Sequence, residues 1–489
     1  MKRTGTFLLS AFAFLAFLWG FSSAQKMERD TDRVQRVENG LLPGVVIKGQ
    51  VTTMKLADRM AHYKVPGVSV AVINNGKLEW AKGYGVIEAG STKPVTTETR
   101  FQAASISKPV AATAALALVQ QGKLSLDENV NLKLKSWQVP DNEFTKDEKV
   151  TLRRLVSHSA GLTVHGFRGY AADEAVPALV QALDGQKPAN SAPIRVNVLP
   201  GSIWRYSGGG YNVMQQMLID VTGKPFPTLM QELVLSKIGM KHSTYQQPLP
   251  KEWETMAAVG HRANGEVVKG RWHTYPEMAA AGLWTTPSDL ARFAIELQQS
   301  FQGKSNKVLS QEMVRQMLTK QKGDYGLGLG LGGKEKVTSF SHGGSNEGFK
   351  CIMFAYVETG QGAVVMTNGD RGSSLGTEIL RAIGREYGWP DQQLNEKTLA
   401  PEQPELYPSY VGKYDINGTH ATISTQGGQL FLTAAPLGAA PVRLYPTADN
   451  RFFILEDNLE VTFVKDAQGV VTEMKVRLGN NPVTAKRMP

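Results

Sequence analysis

One cysteine, Cys351, occurs in 489 residues, so no intramolecular disulfide can form and stability must come from core burial. Cys351 falls in the apolar run Cys351–Phe354 and reads as buried packing rather than as a nucleophile. Charged residues make up only 20% of the chain and aromatic residues 8%, against 42% hydrophobic, a balance that excludes disordered and coiled-coil readings. Long apolar runs are almost missing: mean hydropathy is -0.24 and only Phe7–Gly20 is long enough to matter, which excludes a polytopic membrane protein. His62, His165, His242, His261, His273 and His420 form no HExxH or paired metal spacing, so neither a metal nor a cofactor is expected. Positive charge is in excess, with 54 Lys+Arg against 44 Asp+Glu for a net +10. It is scattered rather than massed in one run, and nucleic acid is not an expected partner.

What is present begins with a leader. Lys2 and Arg3 precede Phe7–Gly20, and the small residues Ser22, Ser23 and Ala24 follow. This reads as a secretory signal peptide over 1–24, predicting an exported chain, periplasmic or secreted, with no stable membrane span after cleavage. No cysteine follows the apolar run, which excludes a lipoprotein anchor. A chain roughly two to three times the usual domain size predicts more than one core. After a charged extension over 25–50, the pattern over 51–394 is α+β, an antiparallel sheet packed with helices. Val68–Ile73, Asn74–Gly76 and Leu78–Ala81 read as a hairpin. A helix is expected from Ser105 to near Gly122, with others over Tyr211–Val221, Pro287–Gln299 and Leu375–Tyr387. Strands are expected over Val337–Ser341, Cys351–Val357 and Ala363–Asn368. The proline-rich stretch 395–408 reads as a linker, and the short alternating runs of 409–489, with turns at Gly427–Gly428 and Asp466–Gly469, as a small all-β domain.

Two patterns compete for attention. Gly328–Gly333 fits G-x-G-x-x-G, but no βαβ unit surrounds it, and with Gly326 the glycines fall at strand period. Gly372–Gly376 fits G-x-S-x-G with Ser374 as nucleophile, and it follows a strand and opens a helix. That alternative, an α/β-hydrolase-type esterase, needs a downstream histidine, and only His420 remains, across the linker.

The stronger constellation is Ser105-Ile106-Ser107-Lys108. Residues three apart share a helix face, so Ser105 Oγ and the Lys108 amine can meet. Pro109 is tolerated only in a first turn, which places the helix start, with its unpaired N–H groups, at the serine. A serine hydroxyl needs a base, and a lysine serves only when deprotonated, which demands burial and a cationic neighbour. Further along stand Tyr206 on the glycine-rich Gly201–Tyr211 loop and His342 in Ser341-His342-Gly343-Gly344, before a strand. Tyr211 and Asn212 read as packing where the helix opens, and His158 as packing at a helix end.

These motifs, in this order, with Leu155–Leu162, Tyr325–Gly328 and Gly282–Leu290, make the chain resemble the serine beta-lactamase and penicillin-binding-protein superfamily, in its class C, D-aminopeptidase and family VIII esterase branch, over roughly Met54 to Tyr387. The C-terminal segment resembles the lipocalin-like, barrel-like domain often appended to that family. The resemblance implies a beta-lactamase-like fold and a serine hydrolase, with Ser105 as acylated nucleophile, Lys108 as base and Tyr206 as proton relay. His342 would form the third corner, and Gly208, Gly343 and Gly344 would line the substrate. The oxyanion would be held by the Ser105 N–H and one from the strand after His342. Gly208 stands where the family has an asparagine that holds a substrate amide, and His342 where class C lactamases have lysine; both turn the expectation from antibiotics toward an ester, D-amino-acid peptide or amide. Partners would be small-molecule or peptide substrates, including peptidoglycan-derived ones. The rival from another class is a catalytically inactive penicillin-binding-like sensor.

Overall fold

The computed structural model describes residues 32–333, 337–390, 395–416, 418–434, 437–456, 458–478 and 481–488. The expected signal segment, 1–24, lies outside the described residues. The apolar run Val68–Ile73 becomes strand β1 (Gly67–Asn74), which turns through Asn75 and Gly76, at φ of 51° and 67°, into β2 (Lys77–Gly85). Positive φ at both turn residues suits the twist of a two-residue hairpin, and Asn-Gly tolerates it best. The rest of the sheet comes from far along the chain: β3 (Gly330–Gly332), β4 (Ser339–Asn346), β5 (Phe349–Tyr356) and β6 (Gly362–Thr367). The strand order is β2-β1-β6-β5-β4-β3, every neighbour antiparallel.

Side chains alternate across β1 as strand geometry requires. Val68, Val70 and Val72 face one core with Leu375, Ile379 and Ile383; Ala71 and Ile73 face the larger core on the other side. Four helices matter for the site: α1 (Ser107–Gln120), α2 (Gly208–Thr222), α3 (Pro287–Phe301) and α4 (Gly372–Glu386). Helix α4 covers the first face, and α3 packs on the second. From Ser107 to Leu118 every residue of α1 is buried, so this alanine-rich helix has no solvent stripe and runs through the larger core.

Several boundaries differ from expectation for identifiable reasons. Helix α1 begins two residues late, because one 3₁₀ turn, Ala104–Ile106, precedes it. Strand β4 starts later and runs further than predicted, so His342 lies inside a strand rather than before one. Only Gly330–Gly332 of the glycine run is a strand; Gly328, at φ 103°, brings the loop so close to α1 that a Cβ there would lie 2.9 Å from that of Ala112.

The α/β-hydrolase alternative is overturned. The sheet is wholly antiparallel, Ser374 lies within the first turn of α4, and His420 sits on a strand of the C-terminal domain, beside Asp415 at 3.6 Å. A nucleophile elbow requires a strained strand-to-helix turn at the top of a parallel sheet, with acid and histidine brought to it.

The C-terminal segment closes into a barrel of eight antiparallel strands, from β7 (Gly412–Ile416) to β14 (Asn481–Arg487), sealed by Tyr414 opposite Arg487. Its interior is filled by side chains such as Leu430, Val461 and Phe452, with Tyr410 and Phe463 stacked at 4.3 Å. In the stretch read as a linker, Glu396–Lys397 pairs in parallel with Val46–Ile47, and Tyr407 is buried in the barrel core. The N-terminal extension thus touches both units, since Val45 N–H donates to Leu455 O of the barrel while Leu41 is buried with the first sheet face.

Candidate active site

Ala104, at φ 49°, holds a conformation that costs a non-glycine residue about 1–2 kcal/mol, and the sharp turn it makes delivers Ser105 to the end of α1. Neighbouring bonds fix this turn. The Ala103 N–H donates to Leu283 O, and Ser107 Oγ donates to Ala104 O at 2.5 Å while accepting from Leu283 N–H at 2.9 Å. One turn on, Lys108 is 2% exposed, and its Nζ donates to Ser105 Oγ at 2.9 Å and to Ala280 O at 2.8 Å. Among the described residues no carboxylate lies within ion-pair distance of this amine.

Tyr206 comes from the loop before α2. Its ring centroid is 5.0 Å from Lys108 Nζ and 6.3 Å from the His342 ring. Ser207, whose Oγ accepts from Gly210 N–H, caps α2 directly after it, which is how three consecutive glycines start a helix here. Gly208 does not line the cavity. It begins α2, buried, where a Cβ would lie 2.9 Å from the Phe167 ring. Tyr211, also buried, donates to Val156 O, in keeping with packing.

His342 is charged by neither its setting nor its partner. Burial, reinforced by the Lys108 ammonium, pushes its pKa down to about 3, against a smaller upward pull from the Gly343 carbonyl. Gly343 O accepts a hydrogen bond from Nδ1 at 2.6 Å, so a neutral ring carries its proton there and offers Nε2 as an acceptor. Neither nearby imidazole supplies the cationic neighbour expected beside Lys108, because His342 and His158 are held neutral by burial. Cys351 is buried, its thiol pushed up by burial and donating to Ala103 O at 3.0 Å, as a packing residue should be.

Below the site, Glu277 precedes the short helix Met278–Ala281 that presents Ala280 O to Lys108. It is fully buried, both carboxylate oxygens lack partners among the described residues, and burial raises its pKa from 4.5 to about 7. A raised carboxyl stabilises the fold below its unfolded value and loses that contribution as pH climbs. Stability should accordingly fall between about pH 4.5 and 7. Glu277→Gln should remove this slope, unfolding at higher urea than the parent at pH 8, by up to ~3 kcal/mol, with the gain gone near pH 4.5. An equal difference at both pH values would refute it.

Ser105, Tyr206, His342, Gly343 and Gly344 share a cavity of about 570 Å³, with Lys108 beneath the serine. Trp204, 44% exposed, and Tyr325 form its aromatic wall, with ring centroids 5.9 Å apart. The cavity continues over the bare edge of β4 at Gly343 to Ile352, Val365 and the first two turns of α4 at Ser373 and Thr377. No aspartate or glutamate lines it among the described residues. Sequence reading missed the aromatic wall and the place of His158, which stands 4.2 Å, ring to ring, from Tyr206. Trp204, Tyr325 and His158 lie inside motifs that carry the resemblance, Gly201–Tyr211, Tyr325–Gly328 and Leu155–Leu162, and only the fold brings them together.

This chain is similar to known proteins in sequence and fold. The C-terminal residues 396–486 match a domain of unknown function (DUF3471). Penicillin-binding protein 4* of Bacillus subtilis (strain 168) is 25% identical over 430 residues, 81% of this chain and 89% of that protein. The octameric penicillin-binding protein homologue from Pyrococcus abyssi has the same fold at a TM-score of 0.59 and 22% identity, covering 88% of this chain and 98% of that one. So does the D-amino acid amidase from Ochrobactrum anthropi SV3, at a TM-score of 0.54 and 23% identity, covering 68% and 95%. With its serine, lysine and tyrosine gathered at the end of one buried helix, and with residues 54–385 matching the beta-lactamase family as a whole, this chain belongs to that family, among the penicillin-binding-protein-like serine hydrolases.

Proposed function

We propose that the protein is an exported hydrolase, periplasmic or secreted, that cleaves an ester, a D-amino-acid peptide or an amide through an acyl-enzyme at Ser105. The observation that carries this reading is the 2.9 Å contact between the buried Lys108 Nζ and Ser105 Oγ at the foot of an open cavity. Ser105 Oγ attacks the acyl carbonyl and yields its proton to Lys108 in its neutral amine form; the oxyanion is held by the Ser105 N–H and one from β4. Tyr206 carries the proton on to the leaving group, and water then releases the acyl chain by the same route in reverse. His342, held neutral, offers Nε2 as a hydrogen-bond acceptor rather than supplying charge.

The missing amide side chain at Gly208 and the missing lysine at His342 weaken the case for β-lactams. The cavity wall without a carboxylate gives a free ammonium no counter-charge, which favours neutral or anionic substrates, peptidoglycan-derived fragments among them. A side-by-side assay of p-nitrophenyl esters, D-aminoacyl anilides and nitrocefin tests this, with ester turnover expected to dominate. Faster nitrocefin turnover would contradict it. The leader over 1–24 supports export, and cell fractionation with N-terminal sequencing of the mature chain checks it.

A further inference from the structure

His158 sits two residues past a short helix, Leu152–Val156, with φ of 58°, a left-handed conformation that histidine adopts more readily than most side chains. It is 1% exposed. Its backbone O accepts from Arg205 N–H at 2.8 Å, and its ring Nδ1 accepts from Ser207 N–H at 3.1 Å. Arg205 and Ser207 flank Tyr206, so one residue grips the chain on both sides of the phenol. The ring lies against Tyr206, with centroids 4.2 Å apart and planes tilted by 35°, and the rings of Tyr325 and Tyr211 stand at 4.9 and 5.4 Å. A backbone N–H cannot accept, so Nδ1 is unprotonated and the neutral ring carries its hydrogen on Nε2, which is buried without a partner among the described residues. The other tie on Tyr206, between its carbonyl and His165 Nδ1, is exposed.

We infer that His158 is the positioning residue of Tyr206, setting the phenol toward Ser105 and Lys108 through its backbone oxygen, its Nδ1 acceptor and its ring face. The inference rests on the serine-hydrolase reading above and deepens it. Helix-end packing alone would need an apolar ring of the right size, not an acceptor at Nδ1. The opposite tautomers of His158 and His342 follow from the same logic: one ring faces a donor, the other a carbonyl.

The experiment compares His158→Asn, whose amide oxygen falls near the place of Nδ1 and which tolerates positive φ, with His158→Gln, whose amide lies one bond further out. Both are made in the full chain, with and without Tyr206→Phe, and assayed for kcat and KM on a p-nitrophenyl ester. The asparagine variant should stay within about tenfold of the parent in kcat. The glutamine variant should lose about 100-fold in kcat, with KM little changed. In the Tyr206→Phe background the two should differ by less than about threefold, because the residue they position is gone. If the glutamine chain does not fold, His158→Phe, which keeps the ring and removes Nδ1, takes its place. Equal kcat for the acceptor-keeping and acceptor-lacking variants, or the same ratio with and without the Tyr206 hydroxyl, would overturn the positioning role. An unmodified chain that turns over no ester and takes no fluorophosphonate at Ser105 would instead sink the hydrolase reading itself.

Discussion

Tyr206→Phe is expected to lower kcat/KM on a good substrate by about 10²- to 10⁴-fold while leaving urea stability almost unchanged. The substitution keeps the ring that packs 5.0 Å from Lys108 Nζ and 4.2 Å from His158, and removes only the hydroxyl. Lys108→Ala should cost at least as much, since Lys108 alone among the described residues hydrogen-bonds to Ser105 Oγ. The double mutant should fall far short of the product of the two losses, because both groups serve one proton path. Full multiplication of the two effects would mean that the groups act independently. A fall of only a few-fold in a folded Tyr206→Phe sample would mean that the phenol is packing.

A second large effect is expected at a position with no functional group. Gly344 lies on β4 opposite Cys351, where a Cβ would overlap both Ala103 O and Cys351 Sγ. Ala103 leads directly into the turn that carries Ser105, and the Cys351 thiol already donates to the same carbonyl at 3.0 Å. Neither the backbone oxygen nor the β5 strand can give way cheaply, so Gly344→Ala must push β4 from the nucleophile turn. Overpacking of this kind costs about 1–3 kcal/mol, and a displacement of about 1 Å at the reacting centre about 100-fold in rate. Gly343→Ala is the stability control, because its Cβ would meet only Cys351 O, at 3.9 Å. Urea midpoints and ester turnover of both variants check this. Parent-like turnover in Gly344→Ala would show that β4 does not set the nucleophile's place.

The parts of the site that could be read from the sequence are those whose geometry is local. Ser105 and Lys108 are three residues apart on one turn, so helix periodicity alone predicts their meeting, and Pro109 marks the turn as the first. The hairpin at Asn75–Gly76 and the all-β character of the C-terminal segment are legible for the same reason, since turn chemistry and period 2 are short-range signals. The sequence points to His342 but places it before a strand, because Ser341–Gly344 carries little β-propensity and strand β4 exists through pairing with Phe349–Tyr356. Gly208 was assigned to the substrate by motif position, whereas the cap at Ser207 draws it into α2 and under Phe167. His158 was set aside because its meaning lies in Arg205 and Ser207, nearly fifty residues away, whose backbone N–H groups it receives. Contacts of that kind leave no periodicity to read.

Covalent chemistry at one oxygen, Ser105 Oγ, is the step on which the mechanism turns. Intact-mass spectrometry of the full chain after treatment with a fluorophosphonate should show a single adduct, and peptide mapping should place it on Ser105. Ser105→Ala should abolish the adduct, and Ser374→Ala should leave it intact. An adduct that survives Ser105→Ala, or one that maps to Ser374, would contradict the account.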